Sequence, residues 1–130
     1  MSTARRAGLW LMAAFYVFAG VMHFVRPEFY LPMMPTWLPA HRELILLSGA
    51  AEVLLGLLLL PEATRRLAAW GVVLLLIAVF PANLHVALHD VPLFGAEKGA
   101  GALNWLRLPF QLLLAWWAWS YARGTDSSIG

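Results

Sequence analysis

The chain has 130 residues, 62% hydrophobic and 12% charged, with a mean hydropathy of +0.72, whereas an ordinary soluble domain carries roughly 25% charged residues. Nine basic and seven acidic side chains leave a formal charge of +2 without a basic block, which argues against nucleic acid as a partner. Cysteine is absent, so the chain itself has no disulfide exchange, thiolate zinc site, cysteine-ligated iron–sulfur cluster or thioether-attached haem.

Four apolar runs predict one all-α domain over residues 1–130, an integral membrane four-helix bundle with helices at about 7–25, 41–60, 67–89 and 102–122. Spans of roughly 20 residues each leave little chain for a soluble domain. Arg5 and Arg6 precede the first run, Ala7 to Val25. It is longer than a signal-peptide core and no small-residue cleavage site follows it, so it reads as a span. Arg26-Pro27 ends it, because the residue before proline disfavours helical backbone. Phe29 to Pro39, FYLPMMPTWLP, places three prolines beside Tyr30 and Trp37 and reads as an interfacial loop on the membrane surface.

The second run, His41 to Leu60, contains SGAAEVLLGLLLLP, Ser48 to Pro61. Glu52 is a carboxylate inside lipid, and an intramembrane acid is a site hypothesis by default. Pro61 closes that helix, and Arg65 and Arg66 occupy the turn. The third run, Leu67 to His89, is expected to be interrupted at Pro81. Asp90 to Gly101 is a polar, turn-rich connection with Pro92, Glu97 and Lys98. The fourth run, Ala102 to Ala122, holds Pro109, and the tail GTDSSIG is too polar and glycine-rich to pack.

Orientation follows Lys and Arg near the helix ends. Arg5, Arg6, Arg65, Arg66 and Arg123 on one side outnumber Arg26, Arg42, Lys98 and Arg107 on the other, predicting both termini in the cytoplasm. The aromatic belts agree, with Trp10, Trp70, Trp116, Trp117, Trp119 and Tyr121 at one interface and Tyr30, Trp37 and Trp105 at the other.

On that topology the polar residues gather in the outer half. Tyr16, Gly20 and His23 share a face of the first helix; His41, Ser48 and Glu52 share one on the second. Asn83, His85 and His89 lie toward the end of the third, and Asn104, Arg107 and Gln111 form a stripe on the fourth. Polar groups are costly against lipid, so the stripes should converge on one outward-open pocket: Glu52, Arg107, Asn83, His23, Gln111 and Ser48, with His85, His89, Asn104 and Tyr16 as secondary members. At about 1.5 Å per residue, Gln111 lies closer to the level of Glu52 than Arg107 does, so a Glu52–Arg107 ion pair needs Gln111 or a water between them. Pro81 and Pro109 free the carbonyls of Ile77 and Trp105 near the same region. Gly49 and Gly56 read as close helix packing. The i, i+4 pair His85 and His89 resembles metal or haem ligands, but solvated histidines are ordinary at helix ends; no metal site is assigned and haem is expected to be absent.

The stretches FAGVMHF followed by Pro27, MMPTWLPAH, SGAAEVLLGLLLLP, RRLAAWG, FPANLHVAL and WLRLPFQ, in that order, resemble the DoxX-like membrane proteins over roughly Gly20 to Ala118. The resemblance implies a four-helix membrane bundle and carries over Glu52, Asn83 and Arg107 as functional positions. It also implies varied roles: subunits of thiosulfate and quinone oxidoreduction, components of oxidative-stress complexes, and receptor chaperones or cargo receptors.

The first expectation is therefore a quinone-interacting or accessory subunit of a membrane redox system, rather than a stand-alone enzyme, since Arg107, Gln111, His23 and Glu52 supply the groups a quinone head needs. The alternatives are a non-catalytic assembly, chaperone or binding protein, and a small proton-coupled transporter, for which one four-helix unit gives little room. The expected partners are the lipid bilayer and a second copy or a membrane or periplasmic protein. Arginine's excess over lysine fits a bacterial source, hence the cytoplasmic (inner) membrane.

Overall fold

Local signals set four helices in the computed structural model, which describes residues 1–93 and 96–123. The expectation for the tail at 124–130 lies outside the described residues. Helix α1 is Thr3–Val25, α2 His41–Leu58, α3 Glu62–His89 and α4 Ala102–Ala122, with no strand among the described residues. Ser2 caps α1, its Oγ accepting from the Arg5 backbone N–H at 3.1 Å. α1 ends ahead of Pro27 as expected.

Three boundaries differ from the sequence reading: α1 begins at Thr3 rather than Ala7, α2 ends at Leu58 rather than Leu60, and the third is the start of α3. α3 begins at Glu62 rather than near Leu67. Pro61 stands just ahead of the first turn, where a missing N–H costs nothing, and Glu62 suits the positive end of the helix dipole. Arg65, expected in a turn, lies in the start of α3 and reaches back to cap α2, donating to Leu59 O at 2.9 Å and Leu60 O at 2.6 Å. Thr64 Oγ1 donates to Leu58 O at 2.6 Å. These bonds satisfy carbonyls that a helix end leaves open. Nor does Pro81 interrupt α3, which runs unbroken to His89. Proline inside an apolar helix is tolerated where neighbouring groups compensate the lost hydrogen bond.

α1 pairs with α2, α3 with α4, and α2 joins the two hairpins through α3. The first pairing requires glycine: a Cβ at Gly20 would lie 2.5 Å from the Gly49 carbonyl, and one at Gly49 2.6 Å from His23 Cβ. The bundle has two unlike ends. At the end holding the start of α1, the α2–α3 turn and the end of α4, a dry core forms around Leu9, Met12, Leu59, Val72, Leu76 and Tyr121. There Arg5 clamps α1 to α4, donating to Ser120 Oγ at 2.7 Å and Ser120 O at 3.0 Å, while Tyr121 OH donates to Arg5 O at 2.8 Å. The other end opens into a cavity.

Two helices, α1 and α3, are long and apolar enough to cross a membrane by length and composition, against the expectation of four. α2 has 18 residues and carries Arg42, Glu43 and Glu52 within them, and the first half of α4 carries Asn104, Arg107 and Gln111. Gly20→Val and Gly49→Val are expected to cost about 1–3 kcal/mol each by overpacking, whereas Ala50→Val on the exposed face of α2 stays near neutral. Thermal unfolding in detergent checks this; equal midpoints for all three variants would contradict the close α1–α2 contact.

Candidate binding cavity

Between the two hairpins lies a cavity of about 720 Å³. Its wall is mostly apolar, from residues such as Phe15, Ile45, Leu76, Val79 and Phe110, and its polar members are Tyr16, His23, Tyr30, Ser48, Glu52, Asn83, Arg107 and Gln111. All six residues expected at the centre of the pocket therefore face one space.

His23 sits beside Glu52 because Gly49 lets α1 approach α2 at that level. Its Nδ1 donates to Ala19 O at 2.7 Å, a carbonyl that can only accept, so this nitrogen carries a proton directed along its own helix. The same Nδ1 lies 3.2 Å from Glu52 Oε2. That contact is electrostatic proximity rather than a hydrogen bond, since the one N–H is already engaged, and Glu52 Oε2 has no hydrogen-bond partner among the described residues. Ser48 lines the wall one turn away on the same face.

Across the cavity a directional chain links α4 to α3. Arg107 Nη2 donates to Asn83 Oδ1 at 3.2 Å, Asn83 Nδ2 donates to Gln111 Oε1, and Gln111 Nε2 donates to the Leu76 carbonyl. Each amide accepts on its oxygen and donates from its nitrogen, which fixes both orientations. The freed carbonyls expected at Ile77 and Trp105 are not the acceptor used; Leu76, one residue before Ile77, serves instead. No ion pair joins Arg107 to Glu52 among the described residues, and Arg107 Nε, like Tyr16 OH, is buried without a partner. Tyr16 is only 2% exposed. A buried polar group left unpaired costs about 1–3 kcal/mol, and all three such atoms belong to side chains that line this cavity.

The segment after α1, expected as an interfacial loop, has a definite shape. It forms two 3-10 turns, Pro27–Phe29 and Leu31–Met33, and folds back as a roof. Tyr30 stacks on His23 with ring centroids 4.0 Å apart, Met33 Sδ lies 4.0 Å from Arg107 Nη2, and His41 Nε2 donates to Pro35 O at 2.9 Å. Burial raises the Tyr30 phenol above its ordinary pKa, and the Glu52 charge pushes the same way. Tyr30, Met33 and Met34 are cavity residues that helical periodicity missed; the proline spacing around them was the one signal of a chain held by turns.

Three secondary candidates do not line the cavity. Asn104 donates to Asp90 Oδ1 at 3.0 Å, as the Gly101 backbone N–H does at 2.8 Å, and so ties the α3–α4 connection. His85 and His89 bring their rings to 4.5 Å, and no third metal-ligand side chain joins them among the described residues. The fourth, Tyr16, belongs to the wall.

Asn83→Leu and Gln111→Leu are each expected to lower stability by about 1–3 kcal/mol, since each strands a buried partner. The double variant should lose less than the sum, with a coupling of at least about 0.5 kcal/mol. Denaturation of the four proteins in the cycle measures it, and strict additivity would show that the chain is not a unit.

No curated protein and no solved structure matches the chain. A family model described as a domain of unknown function, DUF8561, matches residues 12–122, which reach from the middle of α1 through the end of α4. The chain belongs to the DUF8561 family.

Proposed function

We propose that this chain is a multi-pass protein of the bacterial inner membrane, with four spans and both termini in the cytoplasm, that binds a quinone-type amphiphile as an accessory subunit of a membrane redox system. The observation that carries the reading is that three side chains lining one largely apolar cavity each hold a buried polar atom without a hydrogen-bond partner, Tyr16 OH, Glu52 Oε2 and Arg107 Nε. Arg107 and Tyr16 donate to quinone carbonyl oxygens, and Glu52 accepts from the hydroxyl of the reduced form. The residues hold and orient the head group. With no cysteine in the chain, electron transfer needs a bound cofactor or a partner subunit.

A membrane setting is supported by the outward faces of all four helices. Phe18, Leu47, Leu67 and Leu112 are each at least 67% exposed, one on each helix. Apolar surface of that extent is rare on soluble monomers and ordinary against lipid. The DoxX-like resemblance implies the same setting, and the positions it carries over, Glu52, Asn83 and Arg107, line the cavity. A second reading, a non-catalytic assembly or binding protein, is favoured by the Arg107–Asn83–Gln111–Leu76 chain, which satisfies itself as interhelical glue.

Binding of a tail-less dimethoxybenzoquinone to the protein in nanodiscs separates the two readings. Wild type is expected to bind saturably, and Arg107→Gln and Glu52→Gln to weaken binding by about tenfold, equivalent to about 1.4 kcal/mol, with little change in unfolding midpoint. Saturable binding that neither substitution alters, or no binding by wild type, would leave the assembly reading. Reporter fusions test the topology: an outside signal at Gly99 and an inside signal at the C-terminus are expected, and the reverse pair would overturn it.

A further inference from the structure

We infer that the cavity is filled from the side, through a gap between α1 and α4, and that its ligand carries an apolar tail lying in that gap. The inference rests on the quinone reading and adds the tail and its place. The roof is fastened at three points: Tyr30 against His23, Met33 against Arg107, and His41 to the Pro35 carbonyl. The dry core and the Arg5 clamp close the opposite end. What stays open is a flank.

The α1–α4 pair is fastened only at the clamped end, where Arg5 meets Ser120 and Tyr121. From Tyr16 upward no hydrogen bond or ion pair links the two helices among the described residues. At that level Phe15 on α1 and Phe110 on α4 belong to the cavity wall and to the outer surface at once, being 44% and 54% exposed. Their neighbours point the other way: Tyr16, next to Phe15, and Gln111, next to Phe110, are buried in the wall. A head group at Tyr16 and Arg107 thus has an apolar exit between two phenylalanines, continuous with the polar site. Leu47 makes the opposite α2–α3 flank also apolar and exposed. There, however, α2 and α3 pack closely against each other, whereas α1 and α4 do not.

A long-chain quinone bearing a diazirine partway along its tail, photolysed with the protein in nanodiscs and mapped by peptide mass spectrometry, tests the placement. Saturable labelling around Phe15 and Phe110, displaced by excess tail-less dimethoxybenzoquinone, is the expected result. Displaceable labelling around Leu47 or on the Leu31–Met33 turn would overturn the side gap while leaving quinone binding intact. Labelling that the tail-less compound cannot displace, at whatever position, would remove the quinone reading and this inference with it.

Discussion

The contact on which the site depends is the glycine-mediated approach of α1 to α2. Without a Cβ at Gly20 or Gly49, backbone meets backbone and side chain at distances no other residue permits. That approach carries His23 to within 3.2 Å of Glu52 and gives Tyr30 a ring to stack on. One wall of the cavity and the anchor of its roof therefore descend from two missing methyl groups.

The rest follows from an unequal division of labour along the helices. At the clamped end, Leu9, Met12, Val72 and Tyr121 fill the space and Arg5 spends its donors on Ser120. At the other end the helices carry Glu52 and Arg107 where a core would carry leucines, and Tyr16 belongs both to the core and to the cavity wall. Burying these groups costs stability unless they are paired, and the fold pairs only some of them: Asn83 and Gln111 are satisfied, and Arg107 is satisfied on one nitrogen. The residue of unmet hydrogen-bonding capacity is concentrated on one cavity, which is how binding sites differ from structural polar networks.

Much of this site was legible in the sequence, for a definite reason. In an apolar helix, polar residues at i, i+3 and i+4 have one affordable direction to face, so Ser48 with Glu52 and Arg107 with Gln111 pointed at a common interior. The helices were legible for a different reason, as four long apolar runs separated by prolines and charged turns. Periodicity says nothing, however, about nonrepeating chain, and the roof is held by proline-bounded 3-10 turns and by His41 reaching Pro35, a contact between residues with no shared period. It also cannot say which donor an acceptor takes: Gln111 chose Asn83 and Leu76, and Glu52 was left with His23 as its neighbour instead of Gln111 or Arg107. The stop signal at Pro61 was read correctly as an end but not as the immediate start of α3, because the capping by Arg65 and Thr64 needs the folded hairpin.

The central claim is that the unpartnered atoms of the cavity are there for a ligand and not for the fold. Tyr16→Phe tests it most directly, because it deletes one orphaned hydroxyl and little else. If the claim holds, ligand-free Tyr16→Phe protein unfolds at the wild-type midpoint or above it, since an unsatisfied buried hydroxyl worth up to about 1–3 kcal/mol of penalty has been removed, while the stabilisation that wild type gains from added quinone shrinks. A drop in the ligand-free midpoint with an unchanged response to quinone would contradict it.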